Sequence, residues 1–364
     1  MKNNQRHILI IHPRFCIRAR KQIEGLLNQT NYKVTLISNL KILESIPVLK
    51  NNNIKVIYFN FHNNFIFRNY FKIIVKKYAK NVDIIHCHNE PNYHIVDIIK
   101  LFKGKIPIVY DIHDIKTLRN GKLDYDEDFA YKNSDAIIHV SKKRIKLGER
   151  IYGKQNCHVI MSTPSIGYIH SAIKKKKPDD GLHFVYQGGI YDMTMKKDRY
   201  SFRYYLPYFQ EILSENHHIH VYTNTAKERI PGYIQLDKEH PNFHFHGNKE
   251  YSLLIEELSR YDYGIAGFNI NNIKKKSAID YLDATIGNKL FDYIFAGIPV
   301  VVLNSKEMEE FVIKNKCGFV KLPNKSWSET IKESQVITNL QKLAKQCSME
   351  VQIEKLVGIY KQLW

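Results

Sequence analysis

Apolar residues along the chain fall into two alternating patterns. Short apolar runs bounded by polar or turn-forming residues are typical of buried strands. The longer segments between them carry apolar residues every three to four positions, as amphipathic helices do. Strands that alternate with helices in this way predict βαβ units and a parallel sheet. In the first half, the predicted strands are RHILIIHP, YKVTLISNL, IKVIYFNF, VDIIHCHN, IPIVYDIHD and SDAIIHVS.

A second alternating series follows a charged stretch, SAIKKKKPDDG. Its predicted strands include LHFVYQGG, HIHVYTN, FHFHG, YGIAGFN and CGFVKL, and one long helix is expected around YSFRYYLPYFQEILSE. We predict an α/β protein with two Rossmann-like domains, whose parallel sheets face a central cleft where ligands of such folds bind. The expected parts are a domain at 1–170, a linker at 171–181, a domain at 182–345, and a helical tail at 346–364 that packs back on the first domain.

The stretch GNKLFDYIFAGIPVVVLN, residues 287–304, predicts a helix, a turn and a strand. Its first part carries apolar residues at helical spacing, and Val300 begins a buried β-run. Gly297 is suited to the left-handed conformation that ends a helix, and Pro299 prevents its continuation. Lys289 and Asp292 are the charged residues of this helix, one turn apart.

Composition limits the kinds of partner that the protein is expected to bind and the cellular compartment in which it is expected to work. The net charge of +19 is compatible with nucleic acid, an anionic membrane surface or phosphorylated small molecules. No RNA- or DNA-binding motif is present, so nucleic acid is not an expected partner. The five cysteines are scattered without a CxxC pair, which fits a reducing cytoplasm. No apolar run is long enough for a signal peptide or a membrane span, so we expect a cytoplasmic protein that is soluble or peripheral at the inner face of the membrane.

Six sequence blocks occur in order along nearly the whole chain: DIIHCH (83–88), IVYDIHD (108–114), SDAIIHVS (134–141), FVYQGGI (184–190), FHFHG (243–247) and NKLFDYIFAGIPVVV (288–302). Together they resemble the nucleotide-sugar glycosyltransferases of the GT-B fold, and among these family 4 is nearest. The resemblance implies a nucleoside-diphosphate-sugar donor on the second domain, an acceptor on the first, and transfer without a metal or other cofactor.

In that family the helix at the position of 288–296 meets the ribose and the phosphates of the donor. A helix N-terminus offers free N–H groups and a positive dipole end to a diphosphate. The resemblance therefore implies donor contacts by Lys289 and Leu290, and hydrogen bonds from the ribose hydroxyls to Asp292. The alternative is that the two charged residues only cap and solubilise a surface helix.

The loop after strand 182–188 is a second candidate for donor binding. Gly188 and Gly189 allow the backbone to approach a ligand closely. The family has an Arg and a Lys here that neutralise the leaving diphosphate. Ile190 stands where the Arg is expected, so only the lysine is carried over, as Lys196 or Lys197. A solvated charge run is the alternative explanation.

One position of the family pattern is altered. Family 4 members usually carry two glutamates eight positions apart, of which the second matches Asp292. Eight residues earlier stands Ala284, with Asp283 beside it. The first carboxylate is therefore missing or displaced, which weakens the assignment to family 4 more than the assignment of the fold.

Candidate residues of the first domain follow three predicted strands. His113 and Asp114 end strand 108–112, where the family places a His facing the transferred sugar, and this polar pair is suited to positioning hydroxyls or handling a proton. Ser141 is a candidate for acceptor binding, although a helix cap is the favoured explanation. Arg14 and Arg18 follow the first strand, in the loop that usually closes over the donor phosphates or the acceptor.

Two further patterns have structural alternatives that we favour. Histidine pairs such as His86 with His88 and His244 with His246 place two imidazoles on one face of a strand, but no carboxylate or cysteine stands at ligand spacing beside them, so no metal site is expected. The predicted helix 65–80 is basic and rich in aromatics. We interpret its aromatics as core and leave its lysines as charge that could face an anionic membrane.

The leading hypothesis is a glycosyltransferase of bacterial surface polysaccharide biosynthesis, that is, of capsule, lipopolysaccharide or exopolysaccharide. It would move a sugar from a nucleoside-diphosphate donor to a glycan or lipid-linked acceptor, with retention of configuration if the family resemblance holds. Two alternatives stay open. One is a nucleotide-sugar epimerase on the same scaffold, and the other is a catalytically degenerate, polyanion-binding protein.

Overall fold

The computed structural model describes residues 5–39, 51–173, 181–193, 198–271, 273–332 and 338–364. The chain forms two compact units, of which the first comprises Met1–Ser165 with Met349–Trp364 and the second comprises Ile166–Ser348. Two predicted features lie outside the described residues: the lysines Lys196 and Lys197, and positions 174–180 of the expected linker.

The first unit is built on a parallel sheet. Among its described residues, seven strands lie in the order β3-β2-β1-β4-β5-β6-β7. The strands are β1 (His7–His12), β2 (Lys33–Ser38), β3 (Ile54–Tyr58), β4 (Ile84–His88), β5 (Ile108–Asp111), β6 (Ala136–His139) and β7 (Cys157–Val159). The helices before the second unit are α1 (Ile17–Gln29), α2 (Phe65–Tyr78), α3 (Tyr93–Phe102), α4 (Lys116–Asn120), α5 (Tyr125–Asn133) and α6 (Lys142–Tyr152).

The second unit repeats this architecture with six described strands in the order β10-β9-β8-β11-β12-β13. They are β8 (His183–Gln187), β9 (His218–Tyr222), β10 (Phe243–Gly247), β11 (Tyr263–Gly267), β12 (Val300–Leu303) and β13 (Gly318–Val320). Its helices are α7 (Leu206–Ser214), α8 (Pro231–Glu239), α9 (Tyr251–Leu258), α10 (Lys276–Asp283), α11 (Asn288–Phe295), α12 (Lys306–Asn315), α13 (Trp327–Lys332) and α14 (Leu340–Cys347). The prediction of an α/β protein with two parallel-sheet, Rossmann-like domains is confirmed.

Helix α15 (Met349–Leu363) belongs to the first unit and packs on α1. The contact is close because α1 carries a glycine: a Cβ on Gly25 would lie 2.5 Å from Cγ1 of Ile353. Ile353, Leu356 and Tyr360 are fully buried with the apolar residues of β1 and β2. The C-terminal helix is therefore part of the core of the first unit.

The predicted helix-turn-strand at 287–304 is present. Leu290, Tyr293 and Ile294 of α11 are fully buried. Gly297 ends the helix with a φ of +78°, and Val300 begins the buried strand β12. By contrast, the long helix expected around residues 200–215 is divided. A 3₁₀ helix covers Asp198–Arg203, and α7 starts only at Leu206, because Pro207 tolerates a helical position only in the first turn.

In each sheet the direction of strand succession reverses beside the first strand. This switch point lies between β1 and β4 in the first unit and between β8 and β11 in the second. Open α/β sheets bind ligands outside the carboxyl ends of the strands at such points, because the connections leave there in opposite directions. Polar clusters follow β1 and β4 in the first unit and β8 in the second. Within the described residues, no helix is both long and apolar enough to cross a bilayer.

Candidate functional site

In the second unit, the candidate site begins at the carboxyl end of β8. Gly188 follows the strand with a φ of +121°, which only glycine adopts easily. A Cβ at this position would lie 2.6 Å from Cε and 3.1 Å from Nζ of Lys289. The bare backbone of Gly188 is therefore packed directly against the lysine side chain, and the structure brings together two residues expected to bind the donor.

Lys289 lies on two buried tyrosine rings. Its Nζ is 4.0 Å from the ring centre of Tyr186 and 5.6 Å from that of Tyr205, and it donates a hydrogen bond to the Tyr186 hydroxyl. Among the described residues, Lys289 forms no ion pair. Burial and the nearby guanidinium of Arg203 hold the pKa of Lys289 well below its ordinary value, although Asp292 raises it. The lysine is thus a partly buried amine whose protonated form is only partly stabilised by its surroundings.

Arg203 is a candidate that the sequence reasoning missed. A Cβ on Gly189 would lie 2.9 Å from Nη1 of Arg203, so this guanidinium is beside the second glycine of the loop. The expected arginine directly after the glycines is absent, and Ile190 occupies that position as a buried residue. The 3₁₀ helix at Asp198–Arg203 returns Arg203 to this place. The sequence feature that could have identified Arg203 is its position as a cation further along the loop that follows the two glycines.

Asp292 and Leu290 are more deeply buried than their expected roles suggest. The Asp292 carboxylate is only 2 % exposed, and it accepts hydrogen bonds from Nε2 of Gln187 at 2.8 Å and from the Tyr251 hydroxyl at 2.7 Å. Leu290 is fully buried, and its N–H donates to the carbonyl of Gly287. Asp292 therefore joins the end of β8 to α9 through its two partners.

The structure also locates the position of the family's first glutamate. Ala284 is 2 % exposed at the end of α10. The neighbouring carboxylate of Asp283 lies 3.2 Å from Nζ of Lys306, with which it forms an ion pair. The Asp283 carboxylate therefore contacts α12 through this ion pair.

In the first unit, the ends of β1, β4 and β5 bring three histidines together. The ring of His88 stacks on that of His12 with centroids 4.9 Å apart. Nδ1 of His88 lies 2.8 Å from Nε2 of His113. The Sγ atom of Cys16 lies 3.2 Å from His12 Nε2 and 3.6 Å from His113 Nδ1. His113 was predicted to be in the site, whereas His12 and Cys16 were not.

Asp111 is the anionic centre below these histidines. It is fully buried and forms an ion pair with Arg18 at 2.6 Å, while Nε2 of Gln22 donates to its other oxygen at 2.9 Å. Burial alone would raise the pKa of Asp111, but the Arg18 guanidinium together with the neighbouring histidines outweighs burial and holds the pKa well below its usual range. His86 lies 3.4 Å from the same carboxylate, and its Nδ1 is 2.6 Å from the hydroxyl of Tyr360 on α15.

His113 is held at its backbone and is uncharged at neutral pH. Its N–H donates to Oδ1 of Asn89 at 2.7 Å, and its carbonyl accepts from the Arg144 guanidinium. Burial and the Arg18 charge lower the pKa of His113 to about 4. Asp114 is more accessible, with a side chain 40 % exposed, and lies 3.3 Å from Nη1 of Arg119. His113 and Asp114 are therefore neighbours in different environments.

The three other candidates of the first unit differ in position. Arg14 is exposed in the loop after β1, as expected. Arg18 is not in that loop: it lies in the first turn of α1 and is 4 % exposed because it pairs with Asp111. The hydroxyl of Ser141 accepts from the N–H of Arg144 at 3.2 Å and so caps α6, which is the explanation we favoured.

We expected no carboxylate or cysteine beside the histidines from their spacing along the chain. This expectation is wrong for the folded protein, which brings such residues together from different elements. In the part of the chain that the structure describes, two groups have ligand atoms within 4.8 Å of one another: His12 with His88 and His113, and His86 with His88 and Asp111. Their hydrogen bonds nevertheless disfavour a divalent cation. Nδ1 of His12 accepts from the N–H of Arg14, which leaves the proton on the other ring nitrogen, and Arg18 already neutralises Asp111. Transfer without a metal stays a prediction.

A second group of histidines lies on one face of the sheet in the second unit. Its rings are stacked and joined by short contacts: His183 Nδ1 to His220 Nε2 at 2.9 Å, His218 Nδ1 to His244 Nε2 at 3.0 Å, and His220 Nδ1 to His246 Nε2 at 3.0 Å. We call these five residues the histidine array. Each contact joins one N–H to one acceptor nitrogen, so the array is satisfied as neutral imidazoles.

Helix α2 corrects another expectation. We interpreted its aromatics as core, but only Phe71 and Val75 are buried. Four large side chains on the helix are mostly exposed: Phe65 (81 %), Ile66 (76 %), Ile73 (64 %) and Tyr70 (57 %). The helix contains no carboxylate and four cations, of which Arg68 and Lys72 pair with Asp97 of α3, whereas Lys76 and Lys77 are exposed. This exposed apolar and basic face of α2 is named the α2 surface.

Residues 206–342 match the protein family described as "Glucosyltransferase 3-like, C-terminal domain". Over 99 % of both chains, the structure is similar to a glycosyltransferase from Rickettsia africae ESF-5, with a TM-score of 0.65 and 16 % identity. It is similar to the lipopolysaccharide outer core galactosyltransferase WaaB, with a TM-score of 0.67, 12 % identity, and coverage of 98 % of this chain and 100 % of that chain.

The UDP-GlcNAc 2-epimerase of Methanocaldococcus jannaschii also shares the fold, with a TM-score of 0.56, 14 % identity, and coverage of 97 % of this chain and 99 % of that chain. No curated protein matches the sequence significantly. At these identities the structural similarity defines the fold. The chain thus has the fold of the GT-B glycosyltransferases, and its residues 206–342 are similar to the glucosyltransferase 3-like C-terminal domain.

Proposed function

We propose that the protein transfers a sugar from a nucleoside-diphosphate-sugar donor, bound on the second unit, to a glycan or lipid-linked acceptor. The observation that carries this proposal is the packing of Lys289 against Gly188 at the switch point, with Arg203 beside the next glycine. Two cations next to bare backbone at the carboxyl end of a central strand suit a diphosphate.

The proposed chemistry follows from where charge develops. The bond between the anomeric carbon and the diphosphate oxygen breaks, and its electron pair stays on the diphosphate. The acceptor hydroxyl oxygen forms the new bond to the sugar, and its proton leaves with the diphosphate. Lys289, Arg203 and the N-terminus of α11 stabilise the departing charge, and Lys196 or Lys197 remains the expected further cation. Retention of configuration is part of the proposal.

Asp292 has two roles open to it in this proposal. It was expected to accept hydrogen bonds from the ribose, but its carboxylate already holds Gln187 and Tyr251. Ribose hydroxyls would reach it if the Tyr251 side chain turned away on binding. If the tyrosine stays in place, Asp292 is a positioning residue that joins β8 to α9.

On the first unit, His113 and Asp114 are proposed to contact the transferred sugar or the acceptor hydroxyl. Both follow β5 at the edge of the sheet where ligands of such folds bind. Arg14 is exposed in the neighbouring loop and suits an anionic group of the acceptor. Ser141 is left as a helix cap.

The experiment measures binding of UDP, GDP, ADP, TDP and CMP to wild type, Lys289→Met and Arg203→Met by calorimetry. Lys238→Met is the matched control, because Lys238 is an exposed lysine on α8 of the same unit. We expect one diphosphate to bind selectively and to lose at least about tenfold in affinity in the two site variants only, since a hydrogen bond to a charged group contributes about 1.5–3 kcal/mol. Equal binding by Lys289→Met and wild type would contradict the donor site.

Turnover separates transfer from the two other functions. Incubation with the matching nucleotide sugar, followed by NMR, distinguishes donor consumption with an acceptor from epimerisation at a ring carbon without one. The epimerase alternative is supported by its shared fold alone. Salt-dependent heparin binding without any nucleotide binding would favour the polyanion-binding alternative.

We further propose that the protein works as a peripheral protein at the inner face of an anionic membrane, within surface polysaccharide biosynthesis. The α2 surface supports this, because it exposes large apolar side chains from a helix whose charged residues are all cations. Helices of this composition lie at lipid interfaces. A lipid-linked acceptor would be met at that interface.

A further inference from the structure

The pair His88 and His113 holds one shared proton whose position decides what His113 offers to a substrate. The strands β4 and β5 are parallel neighbours, and His88 is the register partner of Asp111. Nδ1 of His88 and Nε2 of His113 lie 2.8 Å apart, so one of them donates and the other accepts. Burial lowers the pKa of both imidazoles, so each is neutral at pH 7 and carries only one ring proton.

Two arrangements satisfy this contact. In the first, His88 Nδ1–H donates to His113 Nε2, and the proton of His113 is on Nδ1. In the second, His113 Nε2–H donates to His88 Nδ1, and the proton of His88 is on Nε2. Cys16 does not decide between them, since its sulfur is able either to accept from His113 Nδ1–H or to donate S–H to a bare Nδ1.

The far side of the His88 ring favours the first arrangement. His88 is fully buried, and its Nε2 has no hydrogen-bond partner among the described residues. The second arrangement would place an N–H at that buried atom without an acceptor. Orphaned buried N–H groups are the rarest kind of unsatisfied polar group, and one of them destabilises a structure markedly.

The charges around Asp111 favour the same arrangement. Arg18 contacts Oδ1 of Asp111 at 2.6 Å, and His113 Nε2 lies 3.9 Å from that oxygen. His88 Nδ1 instead lies 3.8 Å from Oδ2, whose other neighbours are uncharged: the amide of Gln22, which donates to it, and Nε2 of His86 at 3.4 Å. A proton on His113 would therefore lie beside the oxygen that the guanidinium already neutralises, whereas a proton on His88 lies beside the less neutralised oxygen.

We propose that His88 is a positioning residue that fixes His113 in the Nδ1–H form, so that His113 serves as a neutral hydrogen-bond donor rather than as a general base. The role toward substrate rests on the proposed function, but the tautomer itself does not. With its Nε2 occupied by His88, His113 has one remaining ring nitrogen, and that nitrogen carries a proton. It lies 3.6 Å from Sγ of Cys16, and it donates to a hydroxyl or ring oxygen of a sugar that replaces this weak sulfur contact.

The test is the tautomer of His113 in full-length protein labelled with ¹⁵N-histidine, read at pH 7 without nucleotide by long-range ¹H–¹⁵N correlation. The signal is assigned from its loss in His113→Asn. We expect the Nδ1–H form to exceed the other roughly tenfold in wild type. His88→Phe removes the donor and should bring Nε2–H to a comparable or larger share. His88→Asn keeps an N–H near the original position and should restore Nδ1–H.

A predominantly Nε2–H form in wild type would overturn the proposal, as would a His113 tautomer that does not change in His88→Phe. If His88→Phe does not fold, the wild-type spectrum and His88→Asn still decide. The result is independent of nucleotide binding by the second unit. If the tautomer is as expected but no nucleotide binds, only the role toward substrate fails.

Discussion

Gly188 and Lys289 are packed so closely that a Cβ on the glycine would lie 2.6 Å from Cε of the lysine. The two residues are 101 positions apart and meet because the end of β8 contacts α11: Gln187 bonds to Asp292 and Tyr293, and Tyr186 to Lys289. The glycine allows the ammonium group to lie on the Tyr186 ring directly under the loop backbone. Loop conformation and lysine position therefore depend on each other.

Gly188→Ala should weaken diphosphate binding by about tenfold or more. The added methyl group displaces Lys289, and a φ of +121° is strained for alanine. Calorimetry with the selected nucleotide measures the loss. Gly167→Ala in the same unit is the matched control, because a Cβ there meets nothing within 4 Å and its affinity should equal that of wild type. An unchanged affinity in Gly188→Ala would show that Lys289 does not contact the ligand.

The local elements of this site were predictable, and one of its cations was not. The helical spacing of Leu290, Tyr293 and Ile294 announces α11, and Gly297 with Pro299 marks its end. Arg203 reaches the site through a 3₁₀ helix and a turn, whose path follows no repeating pattern. Its arrival beside Gly189 depends on tertiary contacts that sequence spacing does not encode.

Diphosphate binding should weaken with rising pH already below the ordinary pKa range of a lysine. Burial and Arg203 hold the pKa of Lys289 well below its ordinary value, so the lysine loses its proton, and hence its attraction for phosphate, earlier than an exposed lysine does. Lys289→Arg keeps its charge at these pH values and should give a flatter profile when each protein is normalised to its affinity at pH 7. Two parallel profiles would contradict a phosphate contact by Lys289.

The histidine cluster of the first unit shows a different limit of sequence reasoning. The H-x-H pattern on β4 and the D-x-H pattern on β5 are visible, but their pairing requires the register that places His88 beside Asp111. Cys16 meets His113 across 97 positions, because the turn after β1 brings it to the end of β5. Spacing along the chain therefore understated how many polar groups converge here.

The second unit should lose stability as pH falls below about 6.5, the pKa of an unfolded histidine. Burial and the neighbouring histidines lower the pKa of His220 to about 2 in the folded state. The unfolded chain therefore binds a proton that the folded array refuses, and the free energy of unfolding falls by about 1.4 kcal/mol per pH unit for this residue. Between pH 6.5 and 5 the expected loss from His220 alone is about 2 kcal/mol.

Urea unfolding between pH 7 and 5 measures this effect in the Trp364→Phe background. The remaining tryptophan, Trp327, is fully buried in the second unit, so its fluorescence reports that unit alone. His220→Phe should lower the free energy of unfolding at pH 7. It should also reduce the slope of that free energy against pH by the equivalent of about one proton. His62→Gln changes an exposed histidine of the first unit and serves as control. An unchanged pH dependence in His220→Phe would contradict the assignment.

Helix α2 shows why amphipathic patterns are ambiguous when both faces carry apolar residues. Phe71 and Val75 face the core, whereas Ile66, Tyr70 and Ile73 are exposed although they follow the same helical spacing. The sequence predicts a helix of this length correctly. Which stripe is buried depends on which face the sheet covers, and only the three-dimensional structure shows this.

Membrane binding should depend on both components of the α2 surface. Wild type should co-sediment with vesicles that contain phosphatidylglycerol far better than with vesicles of pure phosphatidylcholine, because lysines near an anionic surface contribute about 1 kcal/mol each. High salt should weaken the binding to the anionic vesicles. Lys76→Gln with Lys77→Gln should therefore weaken binding by about thirtyfold. Ile66→Ser with Ile73→Ser should lose at least about tenfold even at low salt, since these exposed side chains would enter the interface.

Ile313→Ser is the matched control for the apolar variant, because Ile313 is an isoleucine of similar exposure, 61 %, on α12 of the second unit. It should leave vesicle binding unchanged. The substituted positions on α2 are exposed and contribute little to the hydrophobic core. Neither double variant should therefore change the midpoint of thermal unfolding by more than the control does. Binding that follows the lysines but ignores the isoleucines would reduce the α2 surface to non-specific charge attraction. Binding that ignores both would remove α2 from the proposed membrane contact while leaving the donor site of the second unit untouched.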